Sequence, residues 1–120
     1  DSVLMAAYDD PLKVTAAFNL NILRSVNSHL GSDFKVEQFR HTVKINHIEN
    51  RVELYLEALE DLTVSWPGNS KVFKAGELIH TEYSHKYTIE SIKQLLTNAG
   101  FQKTQIWTDP KDYFAVIYAQ

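Results

Sequence analysis

From Val14 to Leu30 the apolar residues recur at every fourth position: Val14, Phe18, Ile22, Val26 and Leu30, with Leu23 beside them. That spacing lines one face of an α-helix, and Asn19, Asn21, Arg24, Ser25 and Ser28 fall on the other faces. Asp10-Pro11 is a strong start signal, Asp as N-cap and Pro at the first helical position, so the pattern predicts a helix over Asp10–Leu30. Gly31 is its natural stop. Val36 to Arg40 reads as a short helical turn. From Thr42 the period drops to two. Val43, Ile45 and His47 alternate with polar neighbours, and Val52, Leu54, Leu56 and Ala58 do the same after Glu49-Asn50, the pattern of a β-hairpin. Leu62 and Val64 lead into a turn at Trp66-Pro67-Gly68-Asn69, and Val72-Phe73 forms another short strand.

Beyond the break at Ala75-Gly76, the stretch Ile79 to Tyr87 has the flanks of a strand but is dense in hydroxyl, carboxylate and imidazole groups. Strict alternation puts His80, Glu82, Ser84 and Lys86 on one side and Ile79, Thr81, Tyr83 and His85 on the other. Glu82 and Ser84 then lie about 6–7 Å apart on one face. A carboxylate beside a hydroxyl suits a small ligand with two nitrogen groups, such as an imidazole or an amine. A solvated strand face fits the same pattern. Thr88 caps a second helix with Ile89, Ile92, Leu95, Leu96 and Ala99 as its apolar stripe, closed by Gly100. Two strands follow, Phe101 to Thr108 and Tyr113 to Ala119, joined by Asp109-Pro110-Lys111-Asp112. The pattern as a whole predicts an α+β fold, a long helix packed on a largely antiparallel sheet with a final helix and hairpin.

Composition narrows the function classes. At 120 residues the chain suffices for one modest core, and its 44% hydrophobic and 22% charged content is ordinary for a globular domain. A net charge of -3 with scattered Lys and Arg argues against a nucleic-acid surface or an anionic membrane. The absence of cysteine rules out disulfides, a Cys nucleophile and thiolate zinc sites. No apolar run approaches the ~18 residues of a membrane span, and no leader pattern is present, so a cytoplasmic protein is the expectation. The chain opens on Asp1-Ser2 and runs straight into Val3-Leu4-Met5-Ala6-Ala7-Tyr8, an apolar segment with nothing before it to pack on. This reads as a piece of a longer chain.

Several chemistries fail on spacing. Gly31, Gly68, Gly76 and Gly100 are too far apart to build a phosphate or dinucleotide loop, so a nucleotide-type cofactor needs a site outside this chain. The five histidines, His29, His41, His47, His80 and His85, show no metal-ligand spacing. His80-Thr81-Glu82 matches half of the zinc-deaminase signature, but its cysteine half is missing. Ser84 lacks the surroundings of a nucleophile elbow. Tyr8, just ahead of the predicted helix, is a candidate cleft residue.

Three segments resemble one known family. Ala7-Tyr8-Asp9-Asp10-Pro11 with Val14-Thr15-Ala16-Ala17-Phe18-Asn19 is similar to the "AYDDP…VTAAFN" block of the histidine-specific, S-adenosylmethionine-dependent methyltransferases. Gly76-Glu77 through Thr81-Glu82-Tyr83-Ser84-His85-Lys86-Tyr87 looks like that family's "GE…TExSxKY/F" block, and Trp107-Thr108-Asp109-Pro110 through Phe114 looks like its "WTDxxxxF" ending. The resemblance spans essentially the whole chain and corresponds to the family's C-terminal third. It implies that residues 1–87 belong to the substrate-binding domain. Residues 88–120 would be the last helix and two strands of a Rossmann-like methyltransferase fold. S-adenosylmethionine would be bound mainly outside this chain.

The resemblance also implies site residues. Glu82 and Ser84 match positions that hydrogen-bond the imidazole nitrogens of histidine. Tyr8 matches one that contacts the amino-acid end, and Leu54 matches a pocket-wall position where methionine is expected in the bacterial enzymes. The expected function is transfer of a methyl group to the amino nitrogen of histidine or a similar amino acid. A non-catalytic small-molecule or protein-binding module is the alternative, and a relative acting on another amine is a third reading. The isolated chain is expected to be inactive and prone to self-association, with Val3, Leu4, Met5, Val116, Ile117 and Tyr118 presenting an unpaired edge and apolar surface.

Overall fold

A computed structural model describes residues 1–120, which divide into two compact units, Asp1–His85 and Lys86–Gln120. The first begins with helix α1 (Ser2–Tyr8) and helix α2 (Val14–Leu30). A single 3-10 turn, Val36–Gln38, precedes strands β1 (Phe39–Asn46), β2 (Arg51–Ala58), β3 (Leu62–Trp66), β4 (Asn69–Phe73) and β5 (Leu78–His85). Strands β1, β2 and β5 form an antiparallel sheet in the order β1-β2-β5, and β3 and β4 form a separate hairpin. The mixed α and antiparallel β content agrees with the sequence pattern.

The predicted start of the long helix needs correction. Asp10, Pro11 and Leu12 form a turn closed by the Lys13 N–H donating to the Asp10 carbonyl at 2.9 Å. Lys13 then adopts a left-handed conformation (φ 57°), which no helix interior tolerates, so α2 starts at Val14. Asp10 still caps the helix from across the turn, accepting from the backbone N–H of Thr15 at 2.8 Å and of Val14 at 2.9 Å. Those two bonds hold its carboxyl down to about 2. At the other end Gly31 closes α2 with φ 65°, as expected.

The helix also turns a different face inward. Asn19 and Leu23 are its buried residues, whereas Val14, Phe18, Ile22 and Leu30 are exposed, Phe18 at 71%. The core under α2 is built by Leu23 with Phe39, Leu56, Ala58, Leu62, Val64 and Phe73, and Leu20, Phe34, Val36, Trp66 and Ile79 pack against it. Asn27 fastens the loop that follows. Its Oδ1 accepts from Ser32 Oγ and the Phe34 N–H, and its Nδ2 donates to the Phe34 carbonyl. Val3, Leu4 and Met5 lie in α1 and so form no strand edge.

The β1–β2 register pairs Phe39 with Ala58, His41 with Leu56, Val43 with Leu54 and Ile45 with Val52, so these side chains share the inner face. Glu53 belongs to the outer face and is only 7% exposed. Tyr55, Arg51 and Asn46 all donate to its carboxylate and hold its pKa down to about 2, from an ordinary 4.5. The same contact pushes the Tyr55 phenol up to about 12. A depressed carboxylate stabilises the fold above its unfolded pKa, and that stabilisation is lost as pH falls. The window therefore runs from 4.5 down to about 2. Glu53→Gln should lower the urea midpoint at neutral pH, and its deficit against the wild type should shrink as pH falls through this window. A deficit independent of pH would show that the charge contributes nothing.

The second unit holds helix α3 (Ile89–Asn98) and the antiparallel hairpin of β6 (Thr104–Thr108) and β7 (Ala115–Ala119). Thr88 caps α3 reciprocally with Ser91, each side chain bonding the other residue's backbone N–H. The apolar stripe of α3 is only partly covered: Ile92 and Leu96 are half-buried, while Ile89, Leu95 and Ala99 are exposed. Ile117 is half-buried in β7, and Val116 and Tyr118 are exposed. No helix of the chain is long and apolar enough to cross a membrane.

Candidate functional site

Strand β5 does not alternate strictly. It pairs with β2 as Glu82 opposite Leu54 and His80 opposite Tyr55, which leaves Thr81 as an extra residue in a β-bulge. The bulge turns the strand over by one position. Glu82 and Ser84 share the inner face, opposite Leu54 and Val52, as expected. Ile79 joins that face opposite Leu56, and His80 leaves it, both contrary to the alternation pattern. His80 stacks instead on Tyr83 of the outer face, with ring centroids 3.8 Å apart, and Arg51 lies over the same Tyr83 ring. At the bulge two carbonyls of β2 are satisfied by side chains. Thr81 Oγ1 donates to the Leu54 carbonyl at 3.0 Å, and Asn19 Nδ2 donates to the Tyr55 carbonyl at 3.1 Å.

Of the four residues singled out in the sequence, Leu54, Glu82 and Ser84 share this inner face and Tyr8 reaches it from α1, but only Glu82 lines the cleft beside it. Tyr8, at the end of α1, has its hydroxyl 2.7 Å from Ser84 Oγ although the two are 76 residues apart in sequence. Leu54 is 2% exposed and faces Glu82 directly across the β2–β5 pair. Glu82 is exposed and lines a cleft of about 250 Å³ between α2 and β5, together with Thr81 and with Phe18, Asn19, Asn21, Ile22 and Ser25 of the helix. Its carboxylate takes part in none of the chain's ion pairs. An acceptor held on a strand, with Phe18 and Ile22 among polar side chains around it, suits a small ligand that donates N–H groups.

Periodicity alone missed Asn19 and His41. Asn19 is 4% exposed, and its Nδ2 sits 2.9 Å from His41 Nδ1, while His41 Nε2 sits 2.8 Å from the Tyr8 carbonyl. The carbonyls of Tyr8 and Tyr55 can only accept. His41 therefore carries its proton on Nε2, and the Asn19 amide spends both hydrogens, on His41 and on Tyr55. One signal was available: Asn19, Leu23 and Asn27 recur at helical spacing as a row next to the Phe18–Ile22 stripe. Phe18 and Ile22, part of the apolar stripe that the spacing predicts, line the cleft.

Comparison with known proteins matches the sequence of the chain to a family. The family described as "Histidine-specific methyltransferase, SAM-dependent" matches residues 1–120. The histidine N-alpha-methyltransferase of Mycolicibacterium smegmatis is 40% identical over 118 residues, which is 97% of this chain and 37% of the relative. That of Mycobacterium tuberculosis is 37% identical over 125 residues, with the same coverage. Ergothioneine biosynthesis protein 1 of Schizosaccharomyces pombe is 29% identical over 101 residues, 83% of this chain and 13% of the relative. The chain thus spans 37% of the length of each mycobacterial relative. It belongs to the histidine-specific, S-adenosylmethionine-dependent methyltransferase family.

Proposed function

We propose that this chain is the C-terminal, substrate-reading part of a cytoplasmic methyltransferase that methylates the amino group of histidine or a similar amino acid. The observation that carries the reading is the convergence of Tyr8, Ser84 and Glu82 on one sheet face, opposite Leu54. Glu82 accepts the imidazole N–H and Ser84 hydrogen-bonds the second ring nitrogen. Tyr8, bonded to Ser84, closes the pocket toward the amino-acid end, and Leu54 forms its wall. Methyl transfer from a sulfonium needs a neutral amine held in line with the methyl, which is chiefly a matter of positioning. Glu82 and Ser84 orient the far end of the substrate and move no proton at the reacting nitrogen.

Residues 1–87 make up part of the substrate-binding domain in this reading, and residues 88–120 supply the last helix and two strands of a Rossmann-like fold. The donor site lies mainly elsewhere in the full-length protein. Each of the four glycines here closes an element or leads into a strand, and none opens a helix that would cradle a nucleoside. The exposed Val14, Phe18 and Ile22 stripe gives the isolated chain an apolar surface on which to self-associate.

Ser84→Ala in the full-length enzyme tests the reading. It removes one neutral hydrogen bond, worth about 0.5–1.5 kcal/mol, so KM for histidine should rise roughly 2- to 10-fold with donor affinity unchanged. An unchanged KM would remove Ser84 from the pocket.

A further inference from the structure

The carbonyl of Tyr8 ends helix α1, where no further helical N–H reaches it. His41, from β1, takes that carbonyl with its Nε2–H at 2.8 Å and accepts the Asn19 amide of α2 on its Nδ1 at 2.9 Å. One imidazole thus ties the ends of two bonds that start on different elements, and the same Tyr8 reaches Ser84 with its hydroxyl at 2.7 Å. The ring is half-buried on the inner sheet face opposite Leu56. Its two nitrogens are fully used, one as donor and one as acceptor, an arrangement that a lone buried histidine does not require. We infer that His41 is a positioning residue for substrate recognition: it holds the backbone of Tyr8 so that the Tyr8 hydroxyl meets Ser84 and the bound amino acid.

This inference rests on the assignment of Tyr8 and Ser84 to the substrate pocket. Its content is separable from that assignment, because His41 acts through a backbone carbonyl and touches no substrate. The isosteric replacements divide its two bonds. In His41→Gln the amide nitrogen stands near Nε2 and still donates to the Tyr8 carbonyl. In His41→Asn the amide oxygen stands near Nδ1, keeping the Asn19 contact and losing the Tyr8 tether. His41→Phe keeps the ring volume and loses both.

The test is steady-state kinetics on the full-length enzyme with histidine and S-adenosylmethionine, with donor affinity and melting temperature measured in parallel. His41→Asn and His41→Phe should raise KM for histidine roughly 3- to 10-fold, the value of one hydrogen bond, with kcat and donor affinity little changed. His41→Gln should stay near the wild-type KM. In a Tyr8→Phe background the His41→Asn effect should largely vanish, because the group being positioned is gone. If Tyr8→Phe raises KM but His41→Asn and His41→Phe do not, or if their effect persists undiminished without the Tyr8 hydroxyl, the positioning role is overturned while the pocket stands. If Tyr8→Phe itself leaves KM untouched, the pocket assignment falls and the role of His41 falls with it.

Discussion

Glu82→Ala in the full-length enzyme should cut kcat/KM for histidine roughly 10- to 200-fold, the worth of a charge-assisted hydrogen bond of about 1.5–3 kcal/mol. Binding of S-adenosylmethionine should hardly change. Glu82 lines the cleft from a strand, beside the buried Leu54 of the neighbouring strand, and is itself exposed, so its removal leaves the sheet and its core in place. Glu82→Gln should fall between the wild type and Glu82→Ala, because an amide oxygen still accepts the ring N–H but without its charge. The ordering of the two variants separates a charge-assisted contact from a merely steric one. Separate titrations of histidine and donor provide the measurement. Equal losses for both ligands would indicate unfolding, and no loss would place Glu82 outside the pocket.

Phe39→Ala should be the most destabilising single change in the first unit. Phe39 is 3% exposed, its ring lies 5.8 Å from Phe73 in an edge-to-face arrangement and 5.7 Å from Phe34, and those two rings are themselves 6.1 Å apart. The three rings come from the loop after α2, the start of β1 and the end of β4. Deleting Phe39 therefore loosens the helix, the sheet and the β3–β4 hairpin together. Truncating a buried Phe costs about 3–5 kcal/mol, a large part of the ~5–15 kcal/mol that holds a typical domain folded. Val72→Ala is the control: it adjoins Phe73 in sequence but is 57% exposed, so its cost should stay within about 0.5 kcal/mol. Urea unfolding of both variants would check this, and near-equal midpoints would show that the aromatic cluster is not the core.

Elements whose formation depends on local pattern were legible in the sequence. The β1–β2 hairpin, the Pro67-Gly68 turn of β3–β4, the Thr88 cap of α3 and the final hairpin all follow from period, cap and turn chemistry within a few residues. Long-range pairing was not legible. The bulge at Thr81 exists because β5 meets β2 out of step, and no property of Ile79–Tyr87 alone distinguishes that from strict alternation. Glu82 and Ser84 survived the error because both lie on the same side of the bulge, whereas His80 and Ile79 changed faces. The inward face of α2 was misread for a related reason. A row of Val14, Phe18 and Ile22 signals burial, but burial against what depends on tertiary context, and here Asn19 turns inward because Tyr55 and His41 offer it hydrogen bonds. Asp10 kept its capping role while the helix start moved to Val14, since a carboxylate can reach two backbone N–H groups across a tight turn. For the site residues themselves, motif resemblance carried more than periodicity: Tyr8 and Ser84 are 76 residues apart, and no local rule joins them.

The most direct measurement is a crystal structure of the full-length protein with histidine bound. One imidazole nitrogen should lie within hydrogen-bond distance of the Glu82 carboxylate, the other beside the Ser84 hydroxyl, and the amino-acid end toward Tyr8. Histidine bound elsewhere, with Glu82 and Ser84 facing only solvent or protein, would contradict it.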